Sequence, residues 1–455
     1  MSTVYKQYRE LCEKALDDKE KKLIRNENLS KYKRAFHISE QRFGQLNLAK
    51  QRAANFRSKA VEYLDNYLID FEAAFQRKGG KIIWCCDADE ANRQIQQLLE
   101  KRNLNTVVKS KSSLADEIEL KRYLREQKIE VTESDLGDFL QEKFLEPGEH
   151  PIMPALHHSE EESINKLKES LNVNGEEYIK SFRSHLKLKQ KESDVKIIAA
   201  NFLLADSGIV VTLENEGNVG TAINQAKTLV ILASIEKIVA NINELDVLLP
   251  LLATHATGQF STSYTHFITG PKSANNPYAP EELILVLIDN NRSNLLNQPN
   301  QRKALTCIKC AACLNNDEVY SHIGGAPYRS AQKGPIGALS NQYLMPEEED
   351  YHHLNQTILL NGKLINCCPV KIDFDKIALY TRNENVKNKF GSKSDSIALF
   401  FWKNAVMKRS KMDKGGAKLK GFMLKQFFKK SWGEQRSLPI IASKSFNELW
   451  RERKP

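Results

Sequence analysis

No apolar run in the chain approaches the roughly 20 residues needed to cross a bilayer. The longest, such as TLVILASI from Thr228 to Ile235, stop far short, and no transmembrane helix is expected. The opening MSTVYKQYRELCEKALDDKEKK mixes acids with bases and has no apolar stretch. It matches neither a secretory nor a transit peptide, so a cytoplasmic protein is expected. Cysteine is scarce, at eight in 455 residues. That is too few for a disulfide scaffold, and in a reducing compartment a tight group of cysteines points to metal or redox chemistry. The net charge of +10 is unaccompanied by any helix-turn-helix, finger or RNP signature, so no nucleic-acid readout is expected. Internal repeats are absent, as is the His-Glu-x-x-His spacing of a helical metal site.

What is present has the composition of a globular protein, 41% apolar and 27% charged, with length for about three domains. Residues 1–78 carry a helical stripe through Phe56, Ala60, Leu64, Leu68 and Phe71, which Gly79-Gly80 ends. From 79 to 299, short Val/Ile/Leu-rich runs alternate with charged helical segments, which predicts an α/β domain with a largely parallel sheet. The strand candidates are KIIWCC, TVVKSKS, KIEVTES, HPIMPAL, IVVTLEN, TLVILAS and LILVLID. Residues 300–385 are punctuated by glycine and proline around a cysteine group, and 386–455 form a helical, basic tail. In that tail, from Lys408 to Lys430, Leu419, Phe422, Met423 and Phe427 recur at helical spacing between lysines. We read this as a docking helix with a solvated basic face; contact with an acidic partner subunit or a membrane surface is the alternative.

The cysteine group raises the main question. Cys307, Cys310 and Cys313 open the ferredoxin-type motif C-x₂-C-x₂-C-x₃-C-P, but Asp317-Glu318 stands where the fourth cysteine and its proline belong. Downstream, Cys368-Pro369 has the form of such a fourth position, yet counting back gives Leu364, Asn361 and Ile358. In two-cluster ferredoxins the fourth cysteine of each motif ligates the other motif's cluster. By that rule Cys307, Cys310, Cys313 and Cys368 make one complete [4Fe–4S] site, and 358, 361, 364 and 317 make one that has lost every thiol. The competing readings are tetrahedral zinc and an empty loop of reduced thiols. Asp317 reads as a solvated loop residue, Cys367 as packing beside an extended ligand, Cys85 and Cys86 as small core residues, and Cys12 as carrying no signal.

At these residues the chain resembles the lactate-utilization iron–sulfur proteins of the LutB type. VVKSKS, PIMPALHHSEEE, DSGIVVTLENEGN, the SIEK of Ser234 to Lys237, SYTHFITGP, PEELILVLIDNNRS, ALTCIKCAAC and HIGGAPY follow that family's landmarks in order. The resemblance implies a LUD domain, related to the ribose-5-phosphate isomerase and CoA-transferase folds, then a helical ferredoxin-like module. It also implies a role in oxidising L-lactate to pyruvate beside two partner subunits, one cysteine-rich and one of LUD type. Family members normally keep cysteines for two clusters, whereas this chain keeps one set. They also tend to continue Glu216-Gly217-Asn218 with Gly-Arg, where this chain has Val219-Gly220.

Open α/β sheets bind ligands beyond the carboxyl ends of their strands. Glu214, Asn215, Glu216 and Gly217, after IVVTL, are therefore candidates to line a small-molecule cleft, with Ser110 to Ser112 and Thr269-Gly270-Pro271 after other strands. No nucleophile with a neighbouring base forms a catalytic set. His157-His158 and His352-His353 read as surface or capping residues. The expectation is an electron-transfer subunit with one [4Fe–4S] cluster. The alternatives are a non-redox LUD-domain scaffold holding zinc or no metal, and a cleft that is itself catalytic.

Overall fold

The computed structural model describes residues 3–146, 148–173, 175–274, 276–345, 351–390, 393–408, 417–432, 437–444 and 446–453. The chain divides into two compact units, Met1–Glu384 and Asn385–Pro455.

The first unit opens with four helices, α1 (Thr3–Asp17), α2 (Lys19–Glu40), α3 (Leu46–Glu62) and α4 (Leu64–Arg77). A parallel sheet follows, built from β1 (Lys81–Cys85), β2 (Thr106–Lys109), β3 (Glu130–Glu133), β4 (Val195–Ala199), β7 (Thr228–Ser234) and β10 (Glu282–Ile288), in the order β1-β10-β7-β4-β2-β3. Its central strands are buried on both faces because successive side chains alternate sides and both find apolar cover. Leu229, Ile231 and Leu285 pack with Phe71 and Phe75 of α4; Val230, Leu232 and Val286 pack with Ile95 and Leu99 of the helix Ala88–Glu100. The fold is thus α/β with a parallel sheet, as the strand alternation suggests.

Three strand expectations change in detail. KIIWCC is an edge strand, pairing only with β10 and leaving Lys81 and Trp84 exposed. HPIMPAL is a turn, because His150 Nδ1 accepts the backbone N–H groups of Ile152 and Met153 (3.1 and 3.0 Å) and bends the chain. IVVTLEN belongs to a second sheet, in which β6 (Ile209–Glu214) pairs antiparallel with both β5 (Phe202–Leu204) and β9 (Tyr264–Ile268), and β8 (Ile238–Val239) lies parallel to β5. The turn between β5 and β6 contains Gly208 at φ +62°, where a Cβ would strike the α4 backbone at Phe75. Glycine is therefore required for that hairpin to lie against the helix.

The second sheet, α2, α3, the helix Leu245–Thr257 and the cysteine region share one apolar core. Two buried cations of α3 tie it to that region. Arg57 donates to the carbonyls of Thr306 (3.2 Å), Leu305 (3.3 Å), Ile238 and Glu236. Lys50 Nζ donates to the Asn366 carbonyl at 2.9 Å. In the second unit, the helices Lys393–Val406, Ala417–Trp432 and Phe446–Glu452 form, and Leu419, Phe422 and Met423 are exposed. Residues 409–416 of the basic stretch and the side chain of Phe427 lie outside the described residues.

Replacing Arg57 with Met keeps the volume but strands four buried carbonyls. We expect Arg57→Met to lower unfolding stability by about 3 kcal/mol in denaturant titrations, against a near-neutral effect for the exposed Arg52→Met.

Candidate functional site

Cysteine geometry is set by the backbone. A 3₁₀ helix, Arg302–Thr306, delivers the chain to Cys307. Lys309 and Ala311 then adopt left-handed conformations (φ 59° and 56°), coiling the loop before the helix Ala312–Asn315. Cys307, Cys310 and Cys313 thereby line one cavity of about 400 Å³. Cys368 follows the helix Lys363–Cys367 and lines the same cavity. Backbone N–H groups approach two of the sulfurs, Lys309 to Cys307 at 3.3 Å and Ile372 to Cys368 at 3.4 Å.

All eight cysteines are free. Burial, with the neighbouring thiols, pushes Cys310 and Cys313 well above the ordinary thiol range, and burial pushes Cys368 up to about 11. The three buried thiols, Cys310, Cys313 and Cys368, resist ionising in an apolar setting unless a cation or cluster takes up their charge. Among the described residues, no three cysteine sulfurs fall within 4.8 Å of one another. A zinc ion with Zn–S bonds of about 2.3 Å would draw all four to about 3.8 Å.

The positions of the second motif are occupied otherwise. Ile358 and Leu364 are buried in the shared core, and Asn361 is exposed. Asp317, read above as solvated, is buried. It caps the helix Glu318–Ile323 by accepting Val319 and Tyr320 N–H (both 3.2 Å), and it accepts the Tyr328 hydroxyl at 3.3 Å. Cys367 sits at a helix end, not in an extended segment. Its thiol donates to the Leu364 carbonyl at 3.2 Å, outside the cavity lining. Cys85 is buried, but Cys86 is exposed.

The opposite wall of the cavity belongs to the α/β domain. Ser110 and Lys111 follow β2, Asn201 follows β4, and Asn218 opens the helix Asn218–Gln225. Glu214, Asn215 and Glu216 line this wall too; Glu216 is exposed and accepts the Asn215 N–H at 3.1 Å, while the side chains of Glu214 and Asn215 are engaged. Glu214 accepts Val219 and Gly220 N–H (2.7 and 2.6 Å) and bonds His266 Nε2 at 2.7 Å; Asn215 bonds Gln259 and Ser263. Gly217, at φ +79°, makes the turn and is not part of the lining. A Cβ at Gly220 would press on His266 and Glu214, so the Val-Gly order fits this packing. Thr269-Gly270-Pro271 is not in the lining; it packs against Lys78 and Gly79.

The paired histidines correct a further expectation. His157 and His158 are buried, and both approach Glu146 Oε2, at 3.1 and 3.5 Å. The Lys21 ammonium completes the group at 2.8 Å from Glu146. Burial pushes His157 down to about 4, so it is neutral and Lys21 supplies the positive charge. The ring of His353 packs against Tyr5 and Tyr8 of α1.

Several neighbours of the cavity had no signal in the cysteine spacing. His150 Nε2 bonds Asn315 Oδ1 at 2.9 Å, next to the loop, and burial pushes its imidazole down to about 3. Lys309 donates to Gln332, which donates to Glu117, the partner of the buried Arg292; Arg292 also pairs with Glu236. Lys237, the last residue of SIEK, lines the cavity, and burial pushes its ammonium down to about 8.

Residues 68–288 match the LUD domain family. Lactate utilization protein B of Shouchella clausii is 32% identical over 431 residues, covering 91% of this chain and 90% of that protein. Lactate utilization protein B of Bacillus subtilis is 33% identical over 423 residues, covering 87% and 86%. A solved DUF162 family protein from Deinococcus radiodurans covers 50% of this chain at 10% identity and a TM-score of 0.29, too low to bear on the fold.

Burial pushes the Asp317 carboxyl up to about 6, outweighing its backbone hydrogen bonds. The folded protein therefore holds a proton that the unfolded chain releases, and this contribution to stability is lost as pH rises through 6. Between pH 5 and 7 the wild type should lose about 1 kcal/mol relative to Asp317→Asn, read from paired denaturant titrations.

Proposed function

The chain belongs to the lactate utilization protein B family, and on that footing we propose that it relays electrons during the oxidation of L-lactate to pyruvate through one [4Fe–4S] cluster. Cys307, Cys310, Cys313 and Cys368 would hold that cluster. The observation that carries the reading is that the four free thiols the motif predicts, three of them buried, line one cavity. When bound, such a cluster accepts and gives up one electron at a time.

The chain's own residues would hold and insulate it. The cysteine loop and the segment after Cys368 aim backbone N–H groups at two sulfurs, which stabilises sulfur carrying negative charge. Lys50 adds a buried positive charge beside Cys367 and Cys368. The shared apolar core keeps water from the buried sulfurs, and ligand burial is one of the factors that set a cluster's potential.

Oxidising a hydroxyl to a ketone releases two electrons, and a lone cluster passes them singly. A second carrier must therefore lie outside this site, which suits the cysteine-rich and LUD-type partner subunits that the family resemblance implies. With Ile358 and Leu364 filling the second motif, the relay within this chain would be a single station. Among the described residues no helix is long and apolar enough to cross a membrane. The reading places the protein in the cytoplasm, with the basic tail available to a partner.

Anaerobically purified protein should contain about four iron and four acid-labile sulfide per chain, with Cys368→Ser losing most of both. Stoichiometric zinc, or iron content indifferent to Cys368, would overturn the reading.

A further inference from the structure

Lys237 is a half-buried cation that lines the cavity without a counter-ion among the described residues. Four lysines line the cavity. Three are engaged: Lys111 with the Ile152 carbonyl (2.7 Å), Lys309 with Gln332 (2.8 Å) and Lys333 with the Ser330 carbonyl (3.0 Å). Among the described residues, no hydrogen bond or ion pair reaches the Lys237 ammonium. Its neighbour Glu236 cannot serve, because that carboxylate is held by Arg292 at 2.7 Å. A cation that lines a cavity and has no partner from the protein is placed to pair with an anion that enters it.

Two further polar atoms on the same wall lack partners. Ser110 Oγ, at the carboxyl end of β2, is buried and unbonded. Asn218 Oδ1 is also buried and unbonded, while its amide nitrogen donates to Ser134 Oγ at 3.2 Å, which fixes the oxygen as the free acceptor. The wall thus offers a cation, a hydroxyl and a bare acceptor, at the strand ends where parallel sheets bind ligands. It faces the cysteines across one continuous space.

We propose that this part of the cavity binds a small 2-hydroxy carboxylate, with Lys237 pairing with the carboxylate, Ser110 Oγ donating to it and Asn218 Oδ1 accepting from the 2-hydroxyl. A monoanion fits better than phosphate: there is one unpaired ammonium, and Asn218 Oδ1, an acceptor, pairs with a hydroxyl but repels a dianion's oxygens. The proposal deepens the electron-relay reading by placing the substrate anion in the chamber of the cysteine cage. It rests on that reading for its redox consequence but not for the binding.

The test is isothermal titration of the full, anaerobically purified protein with L-lactate, pyruvate and inorganic phosphate, with iron and sulfide counted in the same samples. Saturable binding of L-lactate, tighter than that of pyruvate, weakened about tenfold or more by Lys237→Gln and largely kept by Lys237→Arg, supports the site. Should Lys237→Gln fail to fold, Asn218→Asp carries the test, since its added charge should abolish binding. No saturable carboxylate binding, preference for pyruvate or phosphate, or affinity unmoved by both Lys237→Gln and Asn218→Asp overturns it. So does a Lys237→Gln protein that loses iron yet binds carboxylate normally, which would make Lys237 a counter-charge for the cage alone. Carboxylate binding in iron-free samples leaves the site standing while the relay reading falls. A full iron count without binding does the reverse.

Discussion

A seven-residue loop can present three thiols to one side of a guest but cannot enclose it, so the cage depends on how firmly the distant Cys368 is held opposite. One helix does much of this. Lys50 and Arg57 stand two turns apart on α3 and share a face. Arg57 grips the Thr306 carbonyl immediately before Cys307, and Lys50 grips the Asn366 carbonyl two residues before Cys368. Both side chains are buried, so each would be left as an uncompensated charge if its carbonyls moved away. The N-terminal helices are thus more than a cover for the sheet: they set the gap across which the sulfurs face each other.

The same core fills the positions where a second motif would present thiols. Ile358 and Leu364 are buried there, and Asp317 is the cap of a short helix. Apolar volume and a cap give that corner stability without a cofactor. The cysteine cavity, by contrast, stays open to the α/β domain, so whatever occupies the cage has the strand ends of β2 and β4 as neighbours. On the proposed reading, electron relay and ligand binding share one chamber.

Much of this was legible in the residues. Continuous Val/Ile/Leu runs such as TLVILAS and LILVLID identify strands buried on both faces, and they form the centre of the parallel sheet. Motif spacing alone singles out Cys307, Cys310, Cys313 and Cys368, and all four line one cavity. The failures share a cause: a local pattern says nothing about what lies across from it. IVVTLEN reads as a parallel strand until Gly208 turns it back on β5. HPIMPAL reads as a strand until His150 takes two backbone N–H groups. Glu214 looks like a ligand group, but its carboxylate is spent on the following turn. His157, His158 and Asp317 look exposed because their partners are distant in sequence or their cover comes from other elements. Lys237 belongs to a quoted landmark, yet only its position in the cavity shows that it lacks a partner.

The central claim is that the four sulfurs share one iron–sulfur cube and that no second cube exists. Diffraction from anaerobically grown crystals, collected on both sides of the iron absorption edge, tests this most directly. The account predicts a single compact iron signal enclosed by Cys307, Cys310, Cys313 and Cys368, with none near Ile358 or Leu364. An iron signal at the second position, or a zinc-edge signal inside the cysteine cage, would contradict it.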